Sequence, residues 1–128
     1  MANRTIVVAI DRRLRELIAN DHGETALVAL ADDVVSNEEK EPWSASDLIE
    51  HLDSNVRAII TAWGSPTIDR QVLEAVPSLE IVAHAAGSVK PYYTDDVWQR
   101  GVRVTHAAPV IAEAVAEYTI GAILVGLR

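Results

Sequence analysis

The sequence predicts an α/β domain built on a five-stranded parallel sheet with helices on both faces. Three observations carry that expectation. Short apolar runs rich in β-branched residues recur at residues 5–10, 56–62, 81–83 and 102–105. Between them lie segments with helical spacing and cap signals, separated by a few turn residues, the alternation that builds a doubly wound sheet with right-handed crossovers. The composition is 49% apolar over 128 residues, enough for one compact core and unlike that of a disordered chain.

Taken in order, Thr5, Ile6, Val7, Val8, Ala9 and Ile10 form a continuous apolar run, as in a strand buried on both faces. Leu14, Leu17 and Ile18 follow helical spacing, and Gly23 is a plausible helix stop. Residues 26–30 read as a second strand, although their alanine and leucine also suit a helix. Residues 32–41 read as an acidic loop, whose carboxylates lack the ordered spacing of a metal site. Ser44 and Asp47 have capping-box spacing, Trp43 and Leu48 stand where a hydrophobic staple closes, and Leu48, Ile49 and Leu52 supply a buried stripe.

The third strand, residues 56–62, runs into Trp63, Gly64, Ser65 and Pro66, where Ser65 can cap a helix and Pro66 suits its first turn. Ile68, Val72, Leu73 and Val76 give that helix an apolar face, and Pro77 ends it. The fourth strand, residues 81–83, enters a small-residue loop centred on Gly87. Glycine there either permits a turn or lets free N–H groups face a ligand in the crevice beyond the strand ends. A short helix over 94–100 stops at Gly101, and residues 102–105 make the fifth strand.

The last stretch differs. From 111 to 127 the strongly polar side chains are Glu113 and Glu117, four apart on one face, while Val115, Ile120, Ile123, Leu124, Val125 and Leu127 occupy the others. Each such side chain left bare forgoes roughly 1.5–3 kcal/mol of burial. The pattern is still helical at Arg128. The expectation is that this helix meets another chain, giving a homo-oligomer through 111–128, or that the natural protein continues.

Charge and composition narrow the function. A net charge of −8 and a pI near 4.8 make the surface a poor partner for nucleic acid or an anionic membrane, so an anionic substrate must be held by local groups. Cysteine is absent, which excludes disulfides and thiol catalysis. No signal h-region precedes Asp11, and no run approaches the roughly 18 apolar residues of a membrane span, so a cytoplasmic location is expected. No G-x-G-x-x-G is present, and Gly121 and Gly126 have P-loop spacing but lack the lysine and hydroxyl that follow. The histidines at 22, 51, 84 and 106 show no metal-ligand spacing. His84 and His106 each stand near a strand end, where they are either structural or face one crevice. A phosphorylated receiver domain would need an aspartate where this chain has Ala62 and Trp63.

From Val56 onward the sequence resembles the NAD-dependent D-isomer-specific 2-hydroxyacid dehydrogenases. The matching residues are Leu73 with Pro77, Ser78, Leu79, Glu80, Ile81 and Val82; then Ala85, Ala86 and Gly87; then Gly101 to Thr105; then Ala114 to Thr119. After Gly87 the family shows an acidic turn, and here Ser88, Val89, Lys90 and Pro91 stand; its asparagine after the fifth strand is His106 here. The resemblance implies a flavodoxin-like substrate domain over 1–106. Over 107–128 it implies a hinge, His106 to Pro109, and the first helix of a Rossmann-type cofactor domain whose remainder lies outside this sequence. It implies that backbone N–H groups around Ala86, Gly87 and Ser88 face the carboxylate of a small 2-hydroxy or 2-oxo acid, with Trp63 and Gly64 nearby. NAD or NADP would serve the full-length enzyme. For this chain alone, no bound cofactor, no catalytic residue, no metal and no turnover are expected. The alternative is a stand-alone, non-catalytic module that binds a small acid or a partner.

Overall fold

The computed structural model describes residues 3–127; Arg128, the last residue expected in the terminal helix, lies outside the described residues. The elements run β1 (Thr5–Val8), α1 (Arg12–Ile18), α2 (Asp21–Leu30), β2 (Asp33–Ser36), α3 (Ala45–Glu50), β3 (Val56–Thr61), α4 (Arg70–Ala75), β4 (Ile81–His84), α5 (Asp95–Gln99), β5 (Arg103–His106) and α6 (Ala108–Gly126). The five strands form one parallel sheet in the order β2-β1-β3-β4-β5. This is the flavodoxin-like order, which reverses direction between β1 and β3 and opens a crevice at the carboxyl ends there.

Strand alternation sends successive side chains to opposite faces. Val7, Ala9, Ile59 and Val82 face one way and pack with Leu48 of α3, Val72 and Leu73 of α4 and Val97 of α5. Ile6, Val8, Ile10 and Ala62 face the other way against Leu14 of α1 and Leu27 of α2. In the first layer Leu48, Ile59, Val72, Val82 and Val97 are fully buried. The second is thin, and α1 and α2 bury no residue completely.

Several local expectations hold. Ser44 and Asp47 form a reciprocal capping box, Trp43 and Leu48 are buried beside it, and α5 ends at Gly101 with φ +74°. Others are corrected. Residues 26–30 are not a strand but the end of α2, whose N-cap Asn20 accepts from the Gly23 N–H; Gly23 therefore lies inside a helix and stops nothing. The second strand is β2, within the stretch expected to be an acidic loop. It sits at the sheet edge, pairs on one side only, and needs just Val34 and Val35 to cover the sheet. Ser65 does not cap α4. Asp69 does, accepting from the Val72 N–H, and Ile68 lies ahead of the helix in a bridge with Tyr93. The fifth strand is set one residue later than expected, and α6 begins at Ala108 with Pro109 in its first turn, ahead of residue 111.

The helix α6 buries none of its residues in the described chain. Ile120, Ile123 and Leu124 are each more than half exposed. The expectation that no run approaches a membrane span is also corrected: by length and composition, α6 is long and apolar enough to cross a bilayer. Glu117, however, stands near its middle. A charge at the centre of a spanning helix costs roughly 2.5–3.5 kcal/mol.

Candidate functional site

The carboxyl ends of β3 and β4 are in register, Thr61 opposite His84, so the loops that follow them lie side by side. The first holds Trp63 and Gly64, both exposed. The second holds Ala86, buried, Gly87, half-buried, and Ser88, exposed. The five residues singled out in the sequence thus stand at the carboxyl end of the sheet, next to the β1/β3 reversal.

The backbone of the second loop is unusual in what it leaves undone. The Ala85 N–H donates to the Thr61 carbonyl at 2.7 Å, and the Ala86 carbonyl accepts from the Ala107 N–H at 3.0 Å. The N–H groups of Ala86, Gly87 and Ser88 donate to no protein group among the described residues. An unpaired buried donor costs about 1–3 kcal/mol, and Ala86 is fully buried. Gly87 does not have a positive φ, and a Cβ built on it would meet nothing within 4 Å. Its turn does not need glycine; the missing side chain leaves room for something to approach. At Gly64, by contrast, φ is +80° and glycine is required by the backbone.

His84, which the sequence left as structural or facing the crevice, and Thr61, Tyr92 and Tyr93, which sequence reasoning missed, tie these loops together. The Thr61 hydroxyl shares hydrogen bonds with His84 Nδ1 at 2.9 Å and with the Tyr93 hydroxyl at 2.7 Å. The Tyr92 hydroxyl accepts from the Gly64 N–H at 3.3 Å, and its ring lies 4.7 Å from the His84 imidazole. Burial, and then the neighbouring His106, hold His84 below the usual histidine range. Burial pushes Tyr93 up to about 12, against a smaller opposing effect of its bond to Thr61. The available signal was the paired Tyr92 and Tyr93, in a chain with no phenylalanine. His106 is exposed, and its Nδ1 accepts from the Ala108 N–H at 3.2 Å, so it supports the first turn of α6.

At the β1–α1 turn, where a pyrophosphate would rest on free N–H groups, the Asp11 carboxylate already accepts from the Leu14 N–H at 2.9 Å. No group of three or more metal-ligating side chains stands together among the described residues. A cavity of about 340 Å³ between α4 and α5 contains Arg70 and Arg100. Both are occupied: Arg70 pairs with Asp96 at 3.0 Å, and Arg100 donates to the Leu73 carbonyl. The β4 loop, by contrast, carries backbone N–H donors that no protein group takes up among the described residues.

A family model described as D-isomer specific 2-hydroxyacid dehydrogenase, catalytic domain, matches residues 15–121, well ahead of the Val56 from which the resemblance was legible. The chain is similar to a glyoxylate reductase of Thermofilum pendens, 30% identical over 97 residues, which covers 75% of this chain and 28% of that protein. It is also similar to glyoxylate/hydroxypyruvate reductase A of Arabidopsis thaliana, 32% identical over 83 residues, 65% of this chain and 26% of that protein. The matches thus span under a third of each relative's length.

Proposed function

This chain belongs to the D-isomer specific 2-hydroxyacid dehydrogenase family through its catalytic domain, and we propose that it forms the substrate-binding portion of a longer enzyme of that family. The whole enzyme would interconvert a small 2-hydroxy acid and its 2-oxo acid, of the glyoxylate type, with NAD or NADP held by residues other than these. The N–H groups of Ala86, Gly87 and Ser88 would receive the substrate carboxylate, and Trp63 and Gly64 would border it. The observation that carries this reading is the run of three N–H groups at the end of β4 without acceptors among the described residues. A carboxylate supplies what they lack, and hydrogen bonds to a charged acceptor are worth about 1.5–3 kcal/mol each.

The reading extends to partners and place. The bare apolar faces of α6 would be covered by a second copy of the chain, and the acidic surface disfavours nucleic acid. Glu117 at mid-helix argues for that cover over a bilayer.

The purified chain tests the division of labour. It should bind glyoxylate weakly at the β4 loop and should neither bind NADH tightly nor oxidise it with glyoxylate. Turnover above the buffer rate by this chain alone would overturn the assignment of cofactor and chemistry to other residues.

A further inference from the structure

Between the end of β4 and Tyr92 the chain makes a loop that leaves the sheet and comes back to it. Its first stem residue is His84 and its last is Tyr92, and the two rings are in contact at 4.7 Å. The returning strand of the loop is fixed by the Ile68 N–H, which donates to the Tyr92 carbonyl at 2.7 Å. Behind this pair, Thr61, His84 and Tyr93 form a polar network in which all three residues are more than nine-tenths buried. Tyr93 lies edge-on to the imidazole, with ring centroids 6.0 Å apart. The same stem reaches the neighbouring loop, since the Tyr92 hydroxyl accepts from the Gly64 N–H.

An apolar side chain would pack this position without leaving polar atoms unpaired. Instead a buried imidazole stands here, with Nε2 lacking a partner among the described residues. Such a group is costly unless its other nitrogen does something an apolar residue cannot. Nδ1 does: it fixes the Thr61 hydroxyl, which in turn fixes Tyr93 and the return of the loop.

We propose that His84 is a positioning residue for the carboxylate loop, holding the N–H groups of Ala86 to Ser88 and the Gly64 loop in one fixed relation through Thr61, Tyr92 and Tyr93. This rests on the reading that those N–H groups take a carboxylate. A loop ordered only part of the time binds more weakly in proportion to the fraction ordered.

The test uses the full chain, ¹⁵N-labelled, with amide exchange read first and glyoxylate titrated second. His84→Phe keeps a ring against Tyr92 and removes Nδ1; His84→Asn keeps a polar atom at the Nδ1 position. In His84→Phe, protection of the Ala85 and Tyr92 N–H groups should fall while that of Ile59 and Val82 is unchanged. The glyoxylate dissociation constant should rise about tenfold, as a mostly disordered loop requires, and His84→Asn should restore both readings. Tyr92→Phe, at a half-buried site, should move the Gly64 resonance and weaken binding without unfolding. Unchanged protection at Ala85 and Tyr92 in His84→Phe would overturn the proposal. So would an equal loss at Ile59 and Val82, or a failure of asparagine to rescue, which are the marks of plain core packing. If wild type itself gives no glyoxylate response, the carboxylate reading fails, while the exchange data still decide whether His84 positions the loop.

Discussion

The Ser65 hydroxyl donates to the Ala9 carbonyl at 2.8 Å and accepts from the Ala62 N–H at 2.9 Å, closing the ends of β1 and β3 where the sheet reverses direction. Both backbone groups belong to buried residues. Ser65→Ala leaves them unpaired and should cost about 2–3 kcal/mol. Urea unfolding checks this: the midpoint should fall with an unchanged slope. A loss below about 0.5 kcal/mol, the scale of a surface change, would mean that the bridge does not hold the seam.

Two glycines on neighbouring loops should respond in opposite ways. Gly64→Ala must hold alanine at φ +80° with its Cβ 3.4 Å from the Pro42 side chain, and should destabilise by about 1–2 kcal/mol. Gly87→Ala places its methyl group in open space and should leave stability within about 0.5 kcal/mol. It should nevertheless weaken glyoxylate binding, because the methyl group takes the room that the ligand needs. Thermal unfolding and a glyoxylate titration on the same two variants separate backbone strain from lost access.

The depressed titration of His84 fixes the sign of a pH effect. Its reference value is 6.5, and burial keeps it neutral below that in the folded chain. As pH falls through about 6.5 the unfolded chain takes up a proton that the folded chain refuses, so stability is lost on the acid side and constant just above. The lowered carboxyl groups of Asp47 and Asp96 act below 3.8, outside that window. His84→Asn should flatten the slope of unfolding free energy just below about pH 6.5. At the other extreme, Tyr93 at about 12 favours the folded phenol, so stability should fall again above pH 10.

The exposed apolar faces of α6 predict self-association. Ile120→Glu with Leu124→Glu places two charges one turn apart on a face that is more than half exposed. Light scattering should show wild type as an oligomer and the double variant shifted to monomer, with the fold of β1 to β5 intact by circular dichroism. Wild type that stays monomeric at high concentration, or floats with neutral vesicles, would contradict cover by a second copy.

The fold was legible where local chemistry and long-range packing agree. The runs that became β1, β3 and β4 are central strands, so their sequences carry burial on both faces, and the Ser44–Asp47 box needs only residues three apart. It was illegible where they part. An edge strand with Val34 and Val35 between Asp33 and Ser36 carries too little apolar signal, while the α2 run at 26–30 carries strand-like hydrophobicity inside a capped helix. A serine hydroxyl that can cap a helix can equally bridge Ala62 to Ala9, and spacing cannot tell these uses apart. The loop around Gly87 was legible as small residues after a strand end, and the family resemblance added its expected role, but the Thr61–His84–Tyr93 network joins residues up to 32 apart and has no local signature.

The most direct test of the carboxylate loop is a ¹H–¹⁵N titration of the chain with glyoxylate and, in parallel, with its neutral amide. Saturable shifts centred on Ala86, Gly87 and Ser88 are expected with the acid and none there with the amide. Shifts centred on Arg70 and Arg100, or equal responses to acid and amide, would contradict it.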